Sequence, residues 1–285
     1  MMKKKLLNLL SLLILFFCFN PLSAQFETRL TGEEGGGWTG HTIAFSHSGD
    51  TMAVSSPYSG YIQVFSFDNG SWTLVGNNIP GHGSSLSLSA NGKRVAFTGG
   101  GNLVQIFEWD GVSWSQLGND IQGNSREDNF GGTTFWPNAV SLSGNGDRIA
   151  IGTSDNRNRG SIKGYVKVFD LQNGAWVQLG PDLVGDSIAD YFGVSVSLAA
   201  TGNILAVGAE GGYGKYGYAR LFEWNGQDWL QKGADIEGEN GSYCGRSVSL
   251  SANGTRVAVG ENLYSVPNGE ERVGRVRVYD WTRSQ

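Results

Sequence analysis

Between Thr42 and Gly260 the chain writes one phrase five times. The clearest copy is Ser247-Val248-Ser249-Leu250-Ser251-Ala252-Asn253-Gly254-Thr255-Arg256-Val257-Ala258-Val259-Gly260; the others span 42–55, 85–98, 139–152 and 195–208. In the first part of the phrase Val248 and Leu250 alternate with serines, a period of two that gives a strand one apolar face. Asn253-Gly254 then supplies the positive backbone angles of a tight hairpin. The second part, Arg256 to Gly260 or Asn203 to Gly208, is almost continuously apolar and predicts a strand buried on both faces.

Each phrase is followed by two further strands. The third reads Gly164-Tyr165-Val166-Lys167-Val168-Phe169, with counterparts at 60–65, 102–107, 217–222 and 274–279. A polar turn leads to a fourth, opened by Trp72, Trp114, Trp176 or Trp229. A large ring at one fixed offset per unit points to packing between neighbouring units rather than to a ligand platform. Four units close on a Gly-x-x-Ile-x-Gly-like phrase, in which Asn78, Asp120, Asp182 and Asp235 share one position and are expected to cap turns.

The turn glycines Gly49, Gly92, Gly146, Gly202 and Gly254 lie 43, 54, 56 and 52 residues apart. That period suits a propeller blade and is too long for most solenoids. The expected fold is all-β, a β-propeller of about five four-stranded blades, in units at approximately 39–81, 82–123, 124–185, 186–238 and 239–285. The fifth unit reaches only Trp281-Thr282 after its third strand, so the N-terminal segment from Phe26 to Leu30 is the candidate to close the last blade.

The N-terminus reads as an export signal. Lys3, Lys4 and Lys5 precede an apolar run from Leu6 to Phe19, and Pro21-Leu22-Ser23-Ala24 offers a small residue for cleavage before Gln25. The expected division is a signal peptide at 1–24 and a repeat domain at 25–285, with no membrane insertion after cleavage. Phe16-Phe17 before Cys18 does not suit lipid attachment. Secretion, the cell surface and the periplasm are all compatible destinations. The full chain carries a formal charge of −5, and loss of the three signal lysines makes it more acidic. Nucleic acid and anionic membrane surfaces are therefore not expected partners. Cys244 is left without a partner for a disulfide; it occupies the slot held by Phe130 and Phe192 in other units, which suits a small buried apolar residue.

Phe192-Gly193-Val194-Ser195-Val196-Ser197-Leu198 through Ala206-Val207-Gly208-Ala209 resembles the FG-GAP repeat of integrin-α-like β-propellers, with Phe130-Gly131 as a weaker copy. The likeness is to the secreted bacterial type and covers nearly all of 25–285. It implies an extracellular adhesion or recognition module, commonly with seven blades and a calcium loop between the first two strands. The present hairpins, such as His47 to Asp50 and Ala90 to Gly92, are too short and too poor in oxygen ligands for that loop, and Asp155 to Gly160 places arginines at ligand positions. No metal and no cofactor is expected.

Catalytic signatures are sparse. His41, His47 and His82 form no zinc-binding pattern. Gly185-Asp186-Ser187-Ile188 resembles the opening phrase of a serine lipase family, yet no histidine follows it in the chain. No catalytic residue is assigned and the chain is expected not to be an enzyme. A pair of glycosidase carboxylates drawn from separate blades would leave no local signature. What varies among units is the loop between the second and third strands, long at 153–163, 210–216 and 261–273. These loops carry Arg157, Arg159, Tyr213, Tyr216 and Tyr264, and Tyr191 ends a connection between units expected on the same side. Tyr and Arg dominate recognition surfaces, so these six are the candidate binding residues for a protein or glycan ligand. The expected function is non-enzymatic recognition or adhesion; the alternatives are a carbohydrate-active hydrolase or lyase and a purely structural scaffold.

Overall fold

A computed structural model describes residues 29–32, 36–100, 102–125, 129–132, 139–153, 163–211, 216–239, 241–266, 269 and 272–281. The chain divides into compact units Met1–Thr31 and Gly32–Gln285, and the second holds every strand described here. Among the described residues it is all-β, with five antiparallel sheets in chain order. The fourth sheet is typical: an inner strand Phe192–Leu198, a second strand Ile204–Ala209, a third strand Tyr218–Trp224 and an outer strand Trp229–Gln231.

The outer strand is broken in two. After Gln231 the chain leaves the ladder at Gly233, and Ile236–Glu237 returns to pair with the start of the same third strand. Equivalent short segments are Ile79–Pro80, Ile121–Gln122 and Leu183–Val184. The periodic residues Asn78, Asp120, Asp182 and Asp235 lie just before these segments. Instead of the expected turn caps they are ties between strands: Gln63 donates to Asn78 at 3.0 Å, Gln105 to Asp120 at 2.9 Å, and Arg220 to Asp235 at 2.8 Å, while Lys167 pairs with Asp182 at 3.2 Å. Gln116, Gln178 and Gln231 of the outer strands each add a 2.8 Å bond to the carboxylate of their own blade. A polar side chain of the third strand would otherwise face the gap in the ladder.

The core lies between sheets rather than within one. Each sheet turns a row of small and branched residues forward and a row of larger ones backward. Thus Ala150, Val166 and Val168 of the third sheet pack on Val196, Leu198, Leu205, Phe222 and Trp229 of the fourth. The other three junctions repeat this with their own residues. The tryptophans seal the joints as expected: Trp114 Nε1 donates to Val75 O and Trp176 Nε1 to Leu117 O, each 2.8 Å away in the preceding sheet.

Second strands are the most buried, and Ile204–Ala209 is buried at every position. Among the described residues the fifth sheet has three strands, Cys244–Leu250, Arg256–Glu261 and Arg275–Asp280, and residues 29–32 carry no strand. Phe26 to Thr28 and the signal segment lie outside the described residues. Consecutive sheets joined face to face in this manner are propeller blades.

Candidate functional site

Two kinds of loop meet at one end of the fourth blade. The connection from the third blade contributes Asp186, Ser187 and Asp190, and the loop after Ile204–Ala209 contributes Gly211, Tyr216 and Gly217. Tyr218 opens the third strand, and Asp235 and Glu237 come from the broken outer edge. Together they line a cleft of about 490 Å³. The loops are stitched by backbone bonds, Gly211 N–H to Asp190 O at 3.0 Å and Cys244 N–H to Tyr216 O at 3.2 Å.

The carboxylates of the cleft differ in state. One guanidinium serves two of them: Arg220 donates to Asp235 at 2.6 Å and to Asp186 at 2.7 Å. The Asp235 hydrogen bonds outweigh burial and hold the Arg220 guanidinium above its ordinary basicity. Asp190 is 5% exposed and takes the Ser187 N–H at 2.8 Å and the Tyr218 hydroxyl at 3.3 Å. Burial, and after it the charge of Asp190, push the Tyr218 phenol well above its ordinary value, so it remains a donor at any physiological pH. The Arg220 guanidinium also sits 5.0 Å from the Tyr218 ring centroid. Glu237 is exposed at the rim, and Tyr216 is 53% exposed there. The result is a cleft with one exposed aromatic face, a phenol committed to Asp190 and charges whose positions are set by pairing, suited to a polar ligand with several hydroxyl or amide groups.

Of the expected binding residues, Tyr216 lines this cleft. Tyr191 follows Asp190 but is not in the lining; it is half-buried, with φ of 55°, and its carbonyl accepts from Val194 N–H at 3.1 Å. Tyr264 belongs to the fifth blade, where the Arg275 guanidinium lies 3.7 Å from its ring centroid. Arg157, Arg159 and Tyr213 lie outside the described residues. Asp190, Tyr218 and Glu237 were not singled out in the sequence. A signal for Asp190 existed, since Asp128 and Asp190 both stand two residues before Phe-Gly. The lipase-like Ser187 does line the cleft, but none of the histidines does, and its N–H is committed to Asp190. Among the described residues no three His, Cys, Asp or Glu side chains are grouped to hold a metal ion.

No family model matches the sequence, and no curated protein matches it. Solved structures do. A hydrazine synthase chain of Kuenenia stuttgartiensis superposes with a TM-score of 0.58 at 14% identity, over 93% of this chain and 67% of that one. A candidate 6-phosphogluconolactonase of Bacteroides uniformis gives 0.49 at 15%, over 69% of this chain and 54% of that one. TolB of Acinetobacter baumannii gives 0.49 at 16%, over 84% and 51%. At 14% identity the likeness to the first of these concerns the fold alone, and the fold is that of a β-propeller.

Proposed function

We propose that this chain is an exported, non-enzymatic recognition module of the FG-GAP-like kind, which binds a glycan or protein through the loop end of its fourth blade. The observation that carries this reading is the cleft itself. Its exposed Tyr216 offers a face for a sugar ring or a peptide side chain, while Asp186, Asp235 and Glu237 offer carboxylate acceptors around it and Tyr218, bonded to Asp190, holds the floor in place. Its size favours a glycan of one or two rings over a protein loop. Export is supported by the basic start and short apolar run of 1–24.

The test is a glycan array with calorimetry on the hits, using residues 25–285 and the Tyr216→Ala and Tyr218→Phe variants. Binding weakened about tenfold or more by both variants supports the reading, as loss of a stacking face or of the hydroxyl that fixes Asp190 would do. Binding unchanged in both variants overturns it, and so does absence of binding to any glycan or surface protein. One feature favours a hydrolytic reading in second place: four carboxylates line one cleft. Chromatography of each bound glycan after prolonged incubation separates the two, because a recognition module returns its ligand uncut.

A further inference from the structure

The two ends of the row of blades are unlike, and each end is half of a junction that the interior completes four times. On the forward side, Val276 and Val278 of the fifth blade are 68% and 66% exposed. Their equivalents in register, Val104 and Ile106, Val166 and Val168, and Ala219 and Leu221, are at most 2% exposed under the following blade. On the backward side, Ile43 and Phe45 of the first blade are each 53% exposed, whereas Val140, Leu142, Val196 and Leu198 at those positions are 6–7% exposed.

The polar parts of the junction are divided in the same way. Leu142, Leu198 and Leu250 N–H each donate 2.9 Å to a serine of the blade before, Ser87, Ser141 and Ser197. The next serine in this series is Ser249, exposed on the fifth blade, and the matching N–H is that of Phe45. The hairpin turns form a ladder in which His47 N–H donates to Ala90 O, Ala90 to Gly144, Gly144 to Ala200, and Ala200 to Ala252, at 2.8–2.9 Å. Its next donor is Ala252 N–H and its next acceptor His47 O.

Charge completes the match. Arg94 reaches Asp147 of the following blade, and Arg148 reaches Asn203 Oδ1 at 3.1 Å. Arg94 and Arg148 side chains are 18% and 16% exposed, but Arg256, in the same place on the fifth blade, is 62% exposed. The residue at the Asp147 position in the first blade is Asp50, also exposed.

We propose that the fifth blade of one copy docks on the first blade of a second copy, head to tail, with Arg256 against Asp50, Ser249 against the Phe45 N–H, and Val276 and Val278 against Ile43 and Phe45. Ile43, Phe45, Val276 and Val278 all stand more than half exposed in the single chain, so its two open faces do not meet one another. A second copy supplies the missing half without bending anything. Such a contact is heterologous and propagates until a ring closes or a filament grows.

Sedimentation equilibrium of residues 25–285 over a wide concentration range, alone and as Arg256→Asp and Asp50→Arg, decides this. The parent is expected to associate, and each charge reversal to weaken association about tenfold or more, because it sets like charges against one another. Both substituted side chains are exposed, and unchanged melting temperatures confirm folding. Mixing the two variants is expected to restore association, since each then meets its opposite charge. A parent that stays monomeric throughout, association indifferent to either reversal, or variants that fail to rescue one another on mixing would each overturn the proposal; the first is the outcome for a chain that closes on itself.

Discussion

Trp176 Nε1 donates a 2.8 Å hydrogen bond to the carbonyl of Leu117, one blade earlier, and the indole that carries it is 7% exposed. The ring therefore closes a joint and satisfies its own polar atom in one placement. Trp176→Phe, which keeps most of the surface but loses the donor, should cost about 1 kcal/mol. Trp176→Ala should cost about 3–5 kcal/mol. Trp72 holds the same position in the first blade, where its ring neighbours are Phe45 and Phe67 of its own sheet. Trp72→Ala should cost clearly less than Trp176→Ala in chemical denaturation, and equal costs would contradict the joint-sealing role.

Gly208 and Gly260 occupy equivalent places on second strands but meet different surroundings. A Cβ on Gly208 would collide with the carbonyl oxygen of Gly245 in the next blade. On Gly260 it would meet first only the hydroxyl of Ser247, which can rotate away. Gly208→Ala is therefore expected to destabilise the fold by about 1–3 kcal/mol or more. Gly260→Ala should stay within about 0.5 kcal/mol. Thermal melts of both variants compare them directly.

Glu261 is 1% exposed and is held by Arg275 at 2.9 Å and Arg277 at 2.5 Å. Burial alone would raise its pKa, but the hydrogen bonds from Arg275 and Ser242 and the charges of both arginines prevail and lower it. A depressed folded-state pKa contributes stability that is complete above the unfolded value near 4.5 and is lost as pH falls through the lower folded value. The melting temperature of the parent should thus drop more steeply below pH 4.5 than that of Glu261→Gln, which should be the less stable of the two at pH 7. Parallel pH profiles would show that the pair does not contribute.

Cys244 is fully buried, and burial, followed by the charge of Glu261, pushes its thiol up to about 11. Only the thiolate reacts readily. With residues 25–285, a thiol reagent at pH 8 should leave Cys244 unmodified in the native state and label it once denaturant opens the fold. Fast labelling of the native protein would mean that the fifth blade opens on its own.

The repeat made the blades legible because each strand type kept its own pattern. Alternation marked 247–251 as a first strand, which the structure extends back to Cys244, continuous apolar character marked 203–208 as buried on both faces, and the recurring Trp marked the joints. Asp235 was misread because a lone carboxylate after a glycine looks the same whether it caps a turn or binds a guanidinium fifteen residues earlier in sequence; Arg220 could be matched to it only through strand register. The cleft was partly legible, since loop variation singled out Tyr216. Asp190 recurs with Asp128 before Phe-Gly, but its meeting with Tyr218 depends on a connection folding back over the next blade, a contact that no local pattern encodes.

The same arrangement of joints sets the order in which the molecule loosens. Among the described residues of one unassociated copy, a blade in the interior must break two apolar interfaces to open, whereas the first and fifth must each break one. Amide exchange should accordingly be slowest along Arg148–Gly152 of the middle blade and faster toward either end. Stability then spreads as a gradient, and the chain frays inward from its end blades rather than melting everywhere at once.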